Sequence, residues 1–200
     1  LGRLDFTPGE LQCGIMEPYN ETERCRLIAA KESPSVLHSS CSGKHAFMLA
    51  LAKFRGYQVQ GYQKINHPVQ QEVLRVISHF AEQPEPSIQI SSDGCGAPIF
   101  LLPIRSIALS YARLMDYAQT PETFYHSSCQ QIVEAMTTYP EYVGGDSEFC
   151  TELMQVTRPT LVGKVGAEAV YCIGTRQQQW GICIKIADGA ERALFPVVMK

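Results

Sequence analysis

The sequence has 200 residues, of which 45% are apolar and 18% are charged, and its net charge is −3. These proportions are ordinary for a folded globular chain. They do not provide the strongly basic surface on which nucleic-acid binding depends. No apolar run approaches the roughly 20 residues of a bilayer-spanning helix. We therefore expect a globular protein that has neither nucleic-acid nor membrane partners.

The eight cysteines are spread along the chain. They form no C-x-x-C pair and show none of the dense spacing of a small disulfide-stapled scaffold. Thiols in such a pattern are typical of a reducing compartment. We expect a cytoplasmic protein in which most cysteines are buried thiols, the alternative being a set of disulfides.

The predicted elements of the first three quarters of the chain are mostly helices. Apolar residues recur there at helical spacing, and proline or glycine stands near the ends of these segments. The predicted helices cover residues 21–31, 46–55, 68–81, 103–117 and 127–139. A further short helix carries Phe149 and Leu153, with Asp146 or Ser147 as its cap. Short strands are predicted at residues 36–38 and 88–90, and residues 98–102 are interpreted as a stiff connection.

From residue 160 onward the apolar period changes to two, which is typical of strands. The predicted strands cover residues 161–164, 168–174, 180–186 and 193–198. Asp188-Gly189 predicts a hairpin between the last two strands. Helices followed by an antiparallel sheet predict an α+β fold, and not α/β, in a single domain over residues 1–200.

Two short polar segments carry most of the chemistry. Residues 40–45, S-C-S-G-K-H, combine a thiol, hydroxyls, an amine and an imidazole where a loop enters a helix, a position that favours anions and lowers thiol pKa. Residues 93–96, D-G-C-G, place a carboxylate and a second thiol in a glycine-rich turn. We expect the two turns to meet in one site.

Cys41 and Cys95 are candidate zinc ligands, because thiolate is a preferred ligand of that metal. A third ligand from His45 or Lys44, with water as the fourth, would give an open site. Lysine must lose its proton before it can ligate. The alternative is two unrelated buried thiols.

Ser42 and Lys44 resemble a nucleophile and its activating amine. Residues two apart share a face in a strand but not in a helix, so the alternative is a lysine that binds an anion or faces water. Asp93 would orient a ligating or basic group, or bind a substrate amine. The alternative for Asp93 is the Asx turn that is common before glycine.

Lys164 stands in K-V-G at the end of a predicted strand. This element resembles the K-T-G strand of serine β-lactamases and penicillin-binding proteins, in which S-x-x-K supplies the nucleophile. No S-x-x-K occurs in this sequence, and the alternative for Lys164 is a surface lysine. Residues 144–146, G-G-D, form either a plain turn or a substrate loop. We assign substrate binding to Gly94, Gly145 and Asp146.

Several separated motifs, in register from about residue 11 to the end, resemble the rhizobial-type L-asparaginase family, often called asparaginase II. They are C-S-G-K-H-A at 41–46, H-P at 67–68, D-G-C-G-A-P at 93–98, F-C-T at 149–151 and K-V-G-A-E at 164–168. The resemblance implies a fold similar to serine β-lactamases and glutaminases. It also implies hydrolysis of L-asparagine to L-aspartate and ammonia.

The same resemblance assigns residues to roles. Cys41, Lys44 and Cys95 match the zinc ligands of the family, with water as the fourth. Lys164 matches one lysine of its catalytic serine–lysine pairs, and Asp93 and His45 match polar residues nearby. The expected catalytic set is therefore Lys164, His45, Asp93 and Ser42. The family's active-site serines and S-x-x-K lysine would precede residue 1, so we expect roughly the first third of a family-length chain to be missing.

Two other functions stay open at this point. The first alternative is an inactive zinc-binding remnant or partner subunit. The second is a glutaminase or peptidase on the same fold, because the fold alone does not exclude another acyl-transfer enzyme. A homodimer is a further expectation, since a sheet face left bare by missing residues would favour association.

Overall fold

The structure is a computed structural model that describes all residues 1–200. The chain divides into two compact units. The first unit comprises Leu1–Val76 and Glu85–Leu101, and the second comprises Ile77–Pro84 and Leu102–Lys200. Each unit has its own apolar core.

Eight α-helices and five strands make up the regular structure. The helices are α1 (Glu21–Ala30), α2 (Ser42–Arg55), α3 (Pro68–Ala81), α4 (Ile104–Tyr117), α5 (His126–Thr138), α6 (Glu141–Gly144), α7 (Phe149–Thr157) and α8 (Leu194–Val198). The strands are β1 (Gln89–Ser92), β2 (Pro98–Leu101), β3 (Leu161–Gly166), β4 (Val170–Thr175) and β5 (Gly181–Lys185). The predicted α+β class is confirmed.

In the first unit, α2 supplies one wall of the core. Its buried residues recur at helical spacing, because one stripe of the helix faces the interior. These residues are His45, Met48, Leu49 and Ala52. They belong to the same core as Tyr62 and Val69. The helix ends at Gly56, whose φ of 69° is the left-handed conformation that glycine adopts readily.

β1 and β2 form an antiparallel hairpin, with Ser92 opposite Pro98 at the turn. The prediction of a stiff connection over residues 98–102 is therefore wrong. A proline at the first position of a strand is tolerated, since its missing N–H then costs little pairing. The strand predicted at residues 36–38 is also wrong. It is a 3-10 turn in which Ser35 Oγ accepts from Leu37 N, and such a local bond competes with strand pairing.

In the second unit, β3, β4 and β5 form an antiparallel sheet in that order. α4 packs on one face, where a Cβ at Gly174 would lie 3.1 Å from Tyr111 O. α7 and α8 lie on the other face, where the Tyr171 ring makes edge contacts with Phe149 and Phe195. The sheet is thus covered by helices on both sides.

The strand predicted at residues 193–198 is wrong, since Leu194–Val198 is helix α8. Its β-branched composition favours a strand, but Pro196 would remove a ladder hydrogen bond and is accommodated in a first helical turn. Asp188-Gly189 therefore leads into a helix and not into a hairpin partner. Neither Asp146 nor Ser147 caps α7, because Glu148 occupies that position and makes no side-chain cap bond.

None of the helices is both long and apolar enough to cross a bilayer.

A test of the α4 contact is Gly181→Ala. A Cβ at this position would collide with Ala108 O and lie 2.6 Å from Ala112 N, so the strand and the helix must separate. We expect the free energy of unfolding to fall by about 3 kcal/mol or more, as measured by chemical denaturation. Gly166→Ala, in the same sheet with Val170 Cβ at 3.5 Å, is the control and should shift stability by less than about 1 kcal/mol. Equal losses in the two variants would contradict this packing.

A second test concerns Glu72, which accepts from Tyr57 Oη at 2.7 Å and pairs with Arg55. The Tyr57 hydroxyl and then the Arg55 guanidinium lower the pKa of Glu72 below 4.5. A lowered pKa stabilises the fold above the unfolded pKa, and this contribution is lost as pH falls. Glu72→Gln should therefore lose about 1 to 2 kcal/mol at pH ~7 and progressively less below pH ~4.5. A loss that is independent of pH, measured by urea denaturation across this range, would rule out the charge as its cause.

Candidate metal centre and catalytic residues

The two polar turns noted in the sequence lie together in the first unit. Cys41 is the residue immediately before α2. Asp93, Gly94 and Cys95 lie in the turn of the β1–β2 hairpin, which Asp93 N closes by donating to Ala97 O at 2.8 Å. One helix entrance and one hairpin turn thus carry the cluster.

The cluster brings two thiols and a carboxylate to one point. Ligand atoms of Cys41, Asp93 and Cys95 all lie within 4.8 Å of one another. Lys44 Nζ donates to Asp93 Oδ2 at 2.8 Å, and Cys95 Sγ donates to the same oxygen at 3.4 Å. Gly94 N donates to Asp93 Oδ1 at 2.7 Å, a bond to the next residue and not the two-residue span of an Asx turn. Both oxygens of the carboxylate are therefore engaged.

Proton affinities in the cluster follow from these contacts. The Lys44 ammonium lowers the pKa of Asp93 by hydrogen bonding, against the opposing effect of burial. Burial acts to lower the pKa of Lys44, but the hydrogen bonds of Asp93 and Cys95 and the nearby thiols outweigh it, and the pKa is raised. Burial raises the pKa of the Cys95 thiol. In the metal-free protein, Lys44 is a charged ammonium and Cys95 a neutral thiol.

The side chains of the cluster fit a zinc ion. Two sulfurs with one oxygen or nitrogen are a ligand set that zinc accepts. Ligand atoms of a tetrahedral zinc site lie about 3.3 to 3.8 Å apart for zinc bonds of about 2.0 to 2.3 Å. The separations here are within 4.8 Å, so small side-chain rotations would suffice.

Comparison with protein families decides what kind of protein this is. The model of the family described as L-asparaginase II matches residues 1–200. The chain belongs to the L-asparaginase II family. Comparison with curated proteins gives no match.

Membership in the asparaginase family confirms the resemblance found in the sequence. At the level of the family it supports an asparaginase-like amidohydrolase with a small-molecule substrate. Neither the metal nor the serine–lysine mechanism follows from membership alone.

His45 faces the core. It is fully buried, and its Nδ1 lies 2.6 Å from the Tyr62 hydroxyl, which in turn accepts from Gln12 N. Burial, followed by the nearby Lys44 charge, lowers the pKa of His45. The His45 imidazole, held by Tyr62, stabilises the start of α2. It is not among the residues whose ligand atoms converge in the cluster.

Ser42 lies apart from Lys44. Both residues are in the first turn of α2, where positions two apart do not share a face. Ser42 Oγ donates to Leu37 O at 3.4 Å, whereas Lys44 points to Asp93. A catalytic role for Ser42 stays a prediction without a contact to support it.

The remaining predicted site residues belong to the second unit and are described within it. Lys164, on β3, is half-buried and donates from Nζ to Val165 O at 2.9 Å. Gly145 has a φ of 102°, and its carbonyl accepts from Thr151 Oγ1 at 2.6 Å. Asp146 follows it on the surface. The turn is anchored to α7, and its predicted substrate-binding role stays a prediction.

Sequence reasoning missed Tyr62 and did not name Asp93 as a candidate metal ligand. Tyr62, which holds His45, lies in an irregular segment and carries no local signal. Asp93 was expected to orient other groups, yet its oxygens lie among the candidate metal ligands. Its position near both thiols depends on the hairpin, which the sequence did not reveal.

Proposed function

We propose that this chain carries the metal-binding and lysine elements of an asparaginase that hydrolyses L-asparagine to L-aspartate and ammonia. The observation that carries the proposal is the joint presence of family membership and the Cys41, Asp93 and Cys95 cluster. Family membership supports the reaction class, and the cluster supports a bound metal.

For the metal we propose zinc held by Cys41, Lys44 and Cys95, with Asp93 as the orienting carboxylate. In the metal-free state Lys44 is bound to Asp93, so ligation requires that its proton leave and the ion pair be replaced. When bound, zinc would supply positive charge that binds and orients the polar groups of the substrate. Asp93 then has a carboxylate oxygen free to accept from a substrate amine.

For catalysis we propose a serine activated by a lysine. The serine hydroxyl attacks the side-chain amide carbon while the lysine accepts its proton. The lysine then gives that proton to the amide nitrogen, the C–N bond breaks, and ammonia leaves. Water then releases aspartate from the acyl-enzyme. Lys164 is the candidate lysine in this chain, because it stands on a strand in the position of the family element and is only half-buried.

A second function is favoured by the contacts of Ser42. Since its hydroxyl bonds Leu37 O and meets no lysine, the candidate nucleophile within the α2 turn lacks an activating base. A non-catalytic zinc-binding subunit is consistent with this geometry.

The proposed cytoplasmic location is supported by eight free thiols.

The metal is tested by elemental analysis of the purified chain after incubation with zinc and desalting. We expect about one zinc per chain, lost in Cys41→Ser and in Cys95→Ser because two thiolates are its strongest ligands. Cys25→Ser, an exposed cysteine on α1, is the matched control and should keep the metal. Lys44→Met and Asp93→Asn show whether the third ligand, beside the two thiolates, is Lys44 or Asp93. Loss of zinc in Asp93→Asn with retention in Lys44→Met would replace the proposed set with Cys41, Asp93 and Cys95.

The reaction is tested by ammonia release from L-asparagine, with L-glutamine and a β-lactam as competing substrates. Two proteins are assayed, the chain of residues 1–200 and a chain that also carries the sequence preceding it in the gene. We expect activity in the longer chain, reduced by about 10²- to 10⁴-fold in Lys164→Met with zinc content unchanged. Lys64→Ala, an exposed loop lysine, is the control and should keep full activity.

Each outcome of this assay separates the candidate functions. Preference for glutamine or the β-lactam would assign another acyl-transfer enzyme of the same fold. Zinc binding without hydrolysis by either chain would favour the non-catalytic subunit and end the asparaginase proposal.

A further inference from the structure

Two cysteines outside the metal centre face each other across the second unit's sheet. Cys172 on β4 and Cys183 on β5 are direct partners in the register. Their Sγ atoms lie 3.6 Å apart, and the Cys172 thiol donates to Cys183 Sγ. Both are free thiols, and the metal-centre chemistry uses neither of them.

The backbone at this pair already has a spacing that a disulfide accepts. Thr175 N donates to Trp180 O and Ile186 N donates to Ala169 O, which marks those positions as hydrogen-bonded pairs. Such pairs alternate with non-hydrogen-bonded ones along an antiparallel ladder, so Cys172 and Cys183 form a non-hydrogen-bonded pair. Their Cα atoms are then about 4.5 Å apart, inside the disulfide range of about 4.4 to 6.8 Å. Side-chain rotation alone can bring the sulfurs together.

We propose that Cys172 and Cys183 form an intrachain disulfide when the protein meets a hydroperoxide, so that this strand pair is a reversible oxidation site. The inference is independent of the function proposed above, because it needs neither a bound metal nor a catalytic serine.

The two sulfurs have different roles in this step. Cys183 is half-buried, whereas Cys172 is only 5% exposed, so peroxide reaches Cys183 first. Burial raises the pKa of Cys172 to about 12, and the Cys183 thiol adds to that effect. Burial also raises the pKa of Cys183, but the hydrogen bond from Cys172 opposes the rise. Because Cys183 is the more accessible sulfur, it is the one that peroxide oxidises, through its ionised fraction, and Cys172 is the resolving thiol.

The chemistry balances with a peroxide as the oxidant. The Cys183 thiolate attacks one peroxide oxygen, the O–O bond breaks, and a sulfenic acid and hydroxide form. The Cys172 sulfur then attacks the Cys183 sulfur, the S–O bond breaks, and water leaves with the thiol proton. The sum is two thiols and one hydrogen peroxide giving one disulfide and two waters. A dithiol reductant reverses it by thiol–disulfide exchange.

The cysteine pair lies beside Lys164, the candidate catalytic lysine. Lys164 is the partner of Cys172 on β3, and residues paired across a ladder share one face of the sheet. The bridge would tie the central strand of the sheet to β5 in the same row as Lys164.

The test is a peptide map of the folded full chain in a Cys25→Ser background, which removes an exposed thiol that could link two chains. The protein is treated with hydrogen peroxide, alkylated and digested with trypsin. Cleavage after Lys164, Arg176 and Lys185 places the two cysteines on separate peptides. We expect one linked peptide that has lost two hydrogen atoms, and recovery of both thiols with dithiothreitol.

Controls keep the result specific. Cys183→Ser should abolish the link, whereas Cys129→Ser, a lone buried cysteine, should leave it intact. The map of the unaltered pair needs only the surface substitution Cys25→Ser, so misfolding of a variant at Cys183 does not affect it. Alkylation of both Cys172 and Cys183 after peroxide would overturn the proposal. So would oxidation of Cys183 to a sulfinic acid without linkage, or a link confined to Cys41 and Cys95.

Discussion

The ion pair between Lys44 and Asp93 joins two segments that are 49 positions apart in the chain. It holds the α2 entrance against the hairpin turn, and it fixes the charge state of both groups by lowering the pKa of one and raising that of the other. The sulfurs of Cys41 and Cys95 lie within 4.8 Å of an Asp93 carboxylate oxygen. A metal ion held by Cys41, Asp93 and Cys95 would have to displace the Lys44 ammonium from Asp93, so the ion pair opposes metal binding.

Much of this arrangement could be predicted from the sequence, because it rests on local signals. Apolar residues of period 3.6 between prolines predicted α3 and α4 almost to the residue, since side chains that face a core must recur once per turn. The site residues were recognisable because Cys41 and Cys95 stand in motifs shared with a family. Such motifs identify candidate residues, and the structure adds which of their side chains are in contact.

The remainder depends on tertiary contacts that a local pattern does not record. Leu194–Val198 has a strand-like composition, but Pro196 disfavours a ladder, and the helix packs Phe195 on Phe149 and Tyr171. A strand near β1 was predicted, at residues 88–90, but β2 is recognisable only by its pairing with β1. The Tyr62 contact to His45 is likewise invisible, since the two residues lie in different elements and no spacing rule connects them.

The glycines under α4 have a mechanical consequence. Gly174 and Gly181 let the helix backbone rest directly on β4 and β5, so that no layer of side chains separates them. A helix seated at this distance has no room to slide or roll, because any shift drives main-chain atoms into one another. Helix and sheet consequently behave as one stiff block. Any motion of this unit that keeps its fold must leave the contact of α4 with Gly174 and Gly181 in place.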